Sequence, residues 1–387
     1  MMKMPLVLFA VWLALLSACT SAAPTISPVP ASPLPVLTKT PVPTLAATST
    51  PTPSHTPAPT PVTLTGSLVI VADNELRLIS ADGANSKVIL SKAQFETSFP
   101  ALGKSDTVPY WSSVISPDGN KILVYTCTLF STACNNKRLY ISSLDLAHTV
   151  TLRTFSGGLL EWAPSSDKLM MQSATDARIK TVFSVAGDSF GKINNLPGSQ
   201  AAFWSFDGSQ IYYYDQKVWY VINSDGSQKK ALKCDLCANV PDPSSYAVAQ
   251  SPDGQSIAIG YMDGTIIIAS SDLVSFKMSM LGSYVNKLYW SPNSTRLAVD
   301  LRTNANQSDI VILNQDGAFV KKLARPEDVL FMNTCGWSPD SQSIDYLGLG
   351  SSGNDLYIQP LAQPVAIHRL SLHSENISCP IWLPANP

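Results

Sequence analysis

The sequence predicts an all-β fold, a seven-bladed β-propeller closed by pairing of the C-terminal strand with the N-terminal blade. A short motif recurs at steps of 40 to 47 residues through the C-terminal part of the chain, which is the period of propeller blades. Apolar strand-like runs lie between the motifs, and the last motif has no chain left to complete its unit. We expect three regions: an N-terminal segment over 1–18, a segment rich in Pro and Thr over 19–65, and the propeller over 66–387.

The composition supports a folded domain rather than a nucleic-acid binder. The chain has 387 residues, 45% of them apolar and 14% charged, with 26 Lys and Arg against 28 Asp and Glu. A net charge of −2 without runs of like charge supplies no phosphate-neutralising surface. We therefore expect no nucleic acid among the partners.

The first residues have the layout of a bacterial export signal. Lys3 precedes an unbroken apolar run over 6–16, too short to cross a bilayer core of roughly 30 Å as a helix. The following Leu16-Ser17-Ala18-Cys19 resembles the lipoprotein lipobox. This resemblance implies that Cys19 is lipid-modified and holds the chain on the extracytoplasmic side of the cell membrane. The alternative is an ordinary signal peptide with a chance cysteine.

A linker rich in Pro and Thr follows the signal. Twelve of the 29 prolines lie between Pro24 and Pro61, and the segment has almost no aromatic or charged residue. Such a sequence cannot bury enough apolar area to offset the entropy of ordering. Its prolines favour extended polyproline II, so it could hold the domain on the order of 100 Å from the membrane.

Seven copies of the motif occur in the region 66–387. Proline fixes φ, and Asp or Asn followed by Gly or Ser makes a tight turn, so each copy ends an inner strand and reverses the chain. Five of the eight tryptophans occupy one position of the repeat, which predicts rings packed between blades rather than a ligand cage. The copies are Ser116-Pro117-Asp118-Gly119, Trp162-Ala163-Pro164-Ser165, Trp204-Ser205-Phe206-Asp207-Gly208, Ser251-Pro252-Asp253-Gly254, Trp290-Ser291-Pro292-Asn293, Trp337-Ser338-Pro339-Asp340 and Trp382-Leu383-Pro384.

Closure of the ring is predicted from the two ends of this region. The runs 68–71, 75–79 and 87–90 are the second, third and fourth strands of a unit that lacks its first. The strand after the sixth complete unit can supply it, which removes exposed sheet edges.

These motifs resemble the WD-type repeat of the TolB propeller family over essentially all of 66–387. The resemblance implies a propeller fold. TolB proteins have six blades, an additional N-terminal α/β domain and no lipid anchor, so a Tol-system role does not come with the fold.

The connections after the second and fourth strands of each blade hold most of the long segments, and we call the face that carries them the long-loop face. They are 91–109, 126–138, 233–247, 302–308, 325–334 and 347–354. Function is preferentially placed on loops held by a rigid scaffold, and aromatic and Arg side chains contribute most to binding. The candidate binding residues are Phe95, Phe99, Tyr110, Trp111, Phe130, Tyr246, Arg302 and Arg325.

Six cysteines remain after Cys19, an even number in an exported protein. We expect the disulfides Cys127–Cys134, Cys234–Cys237 and Cys335–Cys379, all on the long-loop face. The Cys234-x-x-Cys237 spacing also permits redox chemistry or half a zinc site, but neither a second pair nor a nearby His supports these readings.

Catalytic motifs are weak. The stretch 187–191, Gly-Asp-Ser-Phe-Gly, matches a nucleophile elbow but aligns with a hairpin turn of the next repeat, and no helix follows. We expect no catalytic residue, metal or cofactor. The hypothesis is a membrane-anchored, extracytoplasmic, non-catalytic binding or scaffold module for an envelope protein or glycan. A purely structural scaffold within an envelope complex is a further alternative. The alternative is a propeller-type polysaccharide lyase or hydrolase acting at the cell envelope from the central channel, for which Asp300 is a lone candidate carboxylate.

Overall fold

The structure, a computed structural model, describes residues 66–100, 108–130, 133–152, 157–173, 176, 179–186, 189–196, 201–216, 218–232, 247–304, 307–350, 353–362, 367–374 and 377–383. Within the strands, side chains are described except at 108–111, 128–130, 133–137, 150, 152, 157–160, 173, 186, 189–195, 201 and 371. The predicted signal, Cys19 and linker lie outside these residues.

Seven four-stranded antiparallel sheets form the blades of the propeller. Blade 1 contains β28 (Ile381–Leu383), β1 (Ser67–Ala72), β2 (Glu75–Ser80) and β3 (Ser86–Leu90), and blade 2 contains β4 (Val108–Ile115), β5 (Lys121–Phe130), β6 (Ala133–Ser143) and β7 (Thr149–Leu152). Blade 3 contains β8 (Gly157–Trp162), β9 (Lys168–Ser173), β10 (Lys180–Ala186) and β11 (Ser189–Leu196). Blade 4 contains β12 (Ala201–Trp204), β13 (Gln210–Asp215), β14 (Val218–Asn223) and β15 (Lys230–Ala231).

The remaining three blades have the same strand order. Blade 5 contains β16 (Ala247–Gln250), β17 (Ser256–Gly260), β18 (Thr265–Ser270) and β19 (Phe276–Met280). Blade 6 contains β20 (Tyr284–Trp290), β21 (Arg296–Asn304), β22 (Gln307–Asn314) and β23 (Phe319–Lys322). Blade 7 contains β24 (Val329–Trp337), β25 (Ser343–Gly350), β26 (Gly353–Pro360) and β27 (His368–Ser374).

The C-terminal strand closes the ring, as the sequence predicts. Strand β28 pairs antiparallel with β1, and Trp382 lies opposite Leu68 in this register. The backbone N–H of Ser378 donates to the carbonyl of Val71 at 2.9 Å and extends the pairing beyond the strand. Blade 1 is therefore built from both ends of the folded region, and the seven-bladed prediction is confirmed.

The repeated turns follow from hydrogen bonds between side chains and backbone. The Ser116 hydroxyl donates to Asp118 Oδ1 at 2.6 Å and accepts from the N–H of Lys121 at 2.9 Å. The Asp118 N–H in turn donates to the hydroxyl of Ser166 in the next blade at 3.0 Å. The N–H groups of Asp253 and Asn293 make the same bond to serines of their next blades. These turns thus end their own strands and link neighbouring blades on the short-turn face, the face opposite the long loops.

The repeated tryptophans pack between blades, which confirms their predicted role in the core. The indole N–H of Trp290 donates to the carbonyl of Ala249 at 3.0 Å, and that of Trp337 donates to the carbonyl of Tyr289 at 2.9 Å. In both cases the acceptor belongs to the preceding blade. Trp204 is buried as well, but its indole N–H has no hydrogen-bond partner.

Several segments that the sequence analysis treats as long loops are instead strand extensions. Strands β5 and β6 stay paired almost to the tip of their hairpin, where only two residues lie between them. The pairs β21–β22 and β25–β26 have hairpins of the same kind. Continued pairing satisfies the backbone polar groups that an irregular loop would leave to water. The long-loop face therefore carries raised hairpins as well as loops.

One short helix, α1 (Lys92–Ser98), lies in the connection between blades 1 and 2. Ser91 and Gln94 form a capping box at its N-terminus. No helix in the described part of the chain is long and apolar enough to cross a membrane.

Candidate functional site

Two of the predicted binding residues belong to the core. Phe95 of α1 and Phe99 after it are both fully buried, with ring centroids 5.0 Å apart in an edge-to-face arrangement. Phe99 also contacts the ring of Tyr140 at 5.6 Å, and the Tyr140 hydroxyl donates to the carbonyl of Pro100 at 2.7 Å. The prediction that Phe95 and Phe99 bind a partner is wrong, because the capped helix folds both rings under the loop.

Two arginines of the predicted set lie at the long-loop end of blades 6 and 7. Arg302 is exposed near the end of β21, where it pairs with Ser308 of β22. Arg325 is half-buried, and its guanidinium reaches the carbonyl of Leu330 at 3.4 Å within the same connection. The side chains of Tyr110, Trp111, Phe130 and Tyr246 lie outside the described residues.

The cysteines confirm one predicted pairing. Cys335 and Cys379 form a disulfide across the closing seam, with their Cα atoms 5.2 Å apart. Cys335 lies within the inner strand β24 rather than on the long-loop face, so that part of the prediction is wrong for this pair. Cys127 is also disulfide-bonded, but the side chain of Cys134 and all of Cys234 and Cys237 lie outside the described residues.

An ionic cluster that the sequence analysis misses fixes the long-loop face of blade 7. Asp355, almost fully buried, accepts from the backbone N–H groups of Leu372 and His373 at 2.7 Å each and from Arg369 Nε at 2.8 Å. Arg369 also contacts Asp328 at 2.8 Å, which joins the entry of β24 to β27. Burial acts to raise the pKa of Asp355, but these hydrogen bonds outweigh it and the pKa is lowered. The cluster holds an ionised, fully bonded carboxylate, which makes it a structural support.

A further hydrogen bond joins blade 7 to blade 1 on the same face. The Ser374 hydroxyl of β27 donates to Asp73 Oδ1, in the turn between β1 and β2, at 2.8 Å. In the same turn, the Asn74 amide donates to Glu96 of α1 at 3.0 Å. The last blade, the first blade and α1 are thus linked at this end of the closing seam.

The lone carboxylate that the enzyme alternative rests on is not free. Asp300 is buried, and its carboxylate oxygens accept from the hydroxyl of Thr334 and from the Thr334 N–H at 3.2 Å. Burial raises its pKa to about 6, although Thr334 and the nearby Lys287 act in the opposite direction. Asp300 therefore links blades 6 and 7 and presents no unbonded oxygen for acid or base catalysis.

The remaining catalytic and metal motifs gain no support from the described residues. The Gly-Asp-Ser-Phe-Gly stretch leads into β11, which pairs along β10 as an outer strand, so the strand-turn-helix context of a nucleophile elbow is missing there. No group of three or more His, Cys, Asp or Glu side chains in the described part of the chain could hold a metal ion.

Comparison with known proteins identifies the fold and goes no further. No family model and no curated protein sequence matches the chain. A WD40 propeller in the crystal structure of the mitotic checkpoint complex superposes with a TM-score of 0.50 at 18% identity, over 78% of this chain and 90% of the other. TolB from Acinetobacter baumannii gives a TM-score of 0.48 at 16% identity, over 83% and 82%. The feature shared with the checkpoint structure is the propeller fold.

Likeness of fold alone does not select a function. As many as 1458 chains of solved structures match this one, and propellers of similar architecture serve unrelated purposes. The function must therefore be argued from the surfaces and groups of this chain.

Proposed function

We propose that the chain is a lipid-anchored, extracytoplasmic β-propeller that presents its long-loop face to an envelope protein without catalysis. The observation that carries the proposal is that exposed side chains on that face lie on a base fixed by hydrogen bonds and ion pairs. The base is fixed by the Asp355 cluster and by the seam between blades 7 and 1. Above it, Arg302 and Leu330 are exposed, the latter to 48%.

Arginine is one of the side chains that contribute most to protein interfaces, since it supplies charged hydrogen bonds and an aliphatic stem. The exposed leucine adds apolar area that a partner can cover. Because the strands beneath them are paired along their length, little conformational entropy is lost when a partner binds.

The anchor and the tether complete the proposal. The layout of 1–18 and the lipobox ending at Cys19 favour export and lipidation, and the Pro- and Thr-rich segment up to 65 favours a spacer. The propeller of 66–387 would then work at a distance from the membrane surface. Intact-mass measurement of the membrane fraction tests the anchor, since Cys19→Ser should remove the lipid mass and release the protein from the membrane.

Site-specific photocrosslinking in intact cells tests the binding face. A benzophenone amino acid at Leu330 should give discrete protein adducts, which Arg302→Ala weakens. The matched control is Phe206, which is 49% exposed on the opposite, short-turn face. Equal adducts at both positions, or none at Leu330, would contradict the proposal. Adducts that a glycosidase removes would instead indicate a glycan partner.

A further inference from the structure

Strand β19 is the outer edge of blade 5 and carries a row of exposed apolar side chains. Phe276, Met278 and Met280 are 45%, 57% and 70% exposed. Because successive side chains of a strand alternate between its two faces, these three project from the same face. Of the other outer strands, as far as their side chains are described, β3 carries one exposed large apolar side chain and β23 carries two, at a register shift. The row on β19 is therefore the longest exposed apolar edge among the described side chains.

The row continues the apolar face that blade 5 packs against blade 4. Ile267 and Ala269 of β18 lie opposite Met278 and Phe276, and residues opposite each other in a pair of strands share a face. Both are buried in a core cluster that includes Phe203 of blade 4. The face that is buried at β18 is thus exposed at β19.

The other face of β19 is engaged with blade 6. The Ser279 hydroxyl donates to the carbonyl of Gly317 at 2.7 Å. Lys277, the one charged residue of the strand, has its Nζ 3.5 Å from Asp316 Oδ2. The charge on β19 therefore lies on the face away from the apolar row and has a counter-charge in its own chain.

The free backbone groups of β19 belong to the same three residues as the exposed side chains. The N–H of Leu281 donates to the carbonyl of Gly264 at 2.9 Å, and that of Ser270 donates to the carbonyl of Ser275 at 2.8 Å. In an antiparallel pair the N–H and C=O of alternate residues point to the same neighbour, so the odd-numbered residues of β19 bond to β18. The N–H and C=O groups of the three apolar residues point outward, where no described strand pairs with them.

We propose that β19 pairs antiparallel with β19 of a second copy of this chain, about a two-fold axis at Met278. Such a contact is isologous, with the same patch on both copies. The register places each Met278 opposite the other and each Phe276 opposite Met280 of the second copy. All outward N–H and C=O groups of the three residues are then bonded, and each phenyl ring contacts a thioether, which is a favourable pair.

Charge and area favour a second copy as the occupant of this edge. In this register Lys277 lies opposite Ser279 of the second copy, so no like charges face each other across the contact. At roughly 200 Å² for a side chain of this size, the exposed row amounts to about 340 Å² per copy. The area of two copies is below that of a standard stable interface, even with the paired backbone added. We therefore expect a dimer that dissociates in the micromolar range.

Sedimentation equilibrium tests the dimer. The protein is the chain of residues 19–387, which begins at the predicted processing site, with Cys19→Ser to exclude association through a lipid. Between about 1 μM and about 1 mM it should show a monomer–dimer equilibrium with a dissociation constant on the order of 10 to 100 μM.

Two methionine substitutions locate the contact. Met278→Lys places two ammonium groups opposite each other on the two-fold axis and should raise the dissociation constant at least about tenfold. The matched control is Met262→Lys, in the turn between β17 and β18, where the side chain is 60% exposed. It should dimerise as the parent chain does. Equal melting temperatures of the two variants show that both are folded.

Photocrosslinking of the purified chain tests the register. A benzophenone amino acid at Met280 should give a dimer adduct whose second site maps by mass spectrometry to Phe276 or its neighbours in β19. The same amino acid at Met262 should give no dimer adduct.

The proposal fails if the parent chain is monomeric over the whole concentration range, if Met278→Lys dimerises as tightly as Met262→Lys, or if the adducts of position 280 map outside β19. Adducts in intact cells only with a different protein would assign the edge to another occupant and would overturn the proposal as well. None of these outcomes bears on the long-loop face, which crosslinking at Leu330 tests separately.

Discussion

Removal of the disulfide that secures the closing strand should destabilise the propeller by a calculable amount. Cys335 and Cys379 are 44 residues apart in sequence, and the segment between them contains β25, β26 and β27. Cross-linking a segment of this length lowers the entropy of the unfolded chain, which corresponds to about 4 kcal/mol at 25 °C. For a domain of roughly 320 residues this predicts a melting temperature about 6 °C lower in the double variant Cys335→Ser, Cys379→Ser.

Urea unfolding of the oxidised wild type and of the double variant measures this difference directly. Hydrogen exchange adds a local readout, since the amides of β28 should lose protection before those of β21. Reducing agent applied to the double variant isolates the contribution of the other cysteines. A loss of stability below about 1 kcal/mol, with unchanged hydrogen-exchange protection of β28, would refute the conclusion that this disulfide secures the closing strand.

Four further substitutions test the core and one of its buried carboxylates. Trp337→Phe removes the hydrogen bond to the carbonyl of Tyr289, whereas the indole N–H of Trp204 has no partner among the described residues. Trp337→Phe should therefore lower the free energy of unfolding by about 1 kcal/mol more than Trp204→Phe does, as measured in paired urea titrations. Burial raises the pKa of Asp345 to about 6 from 3.8, so the unfolded state binds fewer protons than the folded state between these values, and the contribution of Asp345 to stability should fall by roughly 2 kcal/mol as pH rises from 4 to 7. Asp345→Asn should remove this part of the pH dependence and leave the part due to Asp300, whose pKa is also about 6. An unchanged slope would contradict the raised pKa of Asp345. Phe95→Ala should lower the free energy of unfolding by about 3 to 5 kcal/mol, and a smaller loss would mean that the ring is not part of the core.

The ring and its closure could be predicted because they depend on local, repeated chemistry. The Ser-x-Asp sequence of the turn at Ser116 recurs at Ser251 and Ser338, and each copy forms the same hydrogen bond from the serine hydroxyl to the aspartate. Trp337 and its equivalents mark the inner strands for the same reason. A repeat with a missing first strand leaves a single way to complete the sheet.

The surfaces were harder to predict, because burial and pairing depend on residues distant in sequence. The sequence places Phe95 in a connection between blades, where an aromatic side chain would be exposed. In the structure it lies on a helix and packs in the same core cluster as Tyr140. Asp355 and Arg369 are 14 residues apart, and only the register of β26 and β27 brings them together.

The pairing of β1 with β28 constrains the order in which the protein can mature. Ser67 and Leu383 are neighbours in the sheet, although they are 316 positions apart in the sequence. A chain that crosses the membrane from its N-terminus would expose the unpaired edge of β1 until nearly the whole sequence had emerged. If the protein is exported as proposed, this unpaired edge would persist through nearly all of translocation, and a chain that ends before residue 377 would keep it permanently.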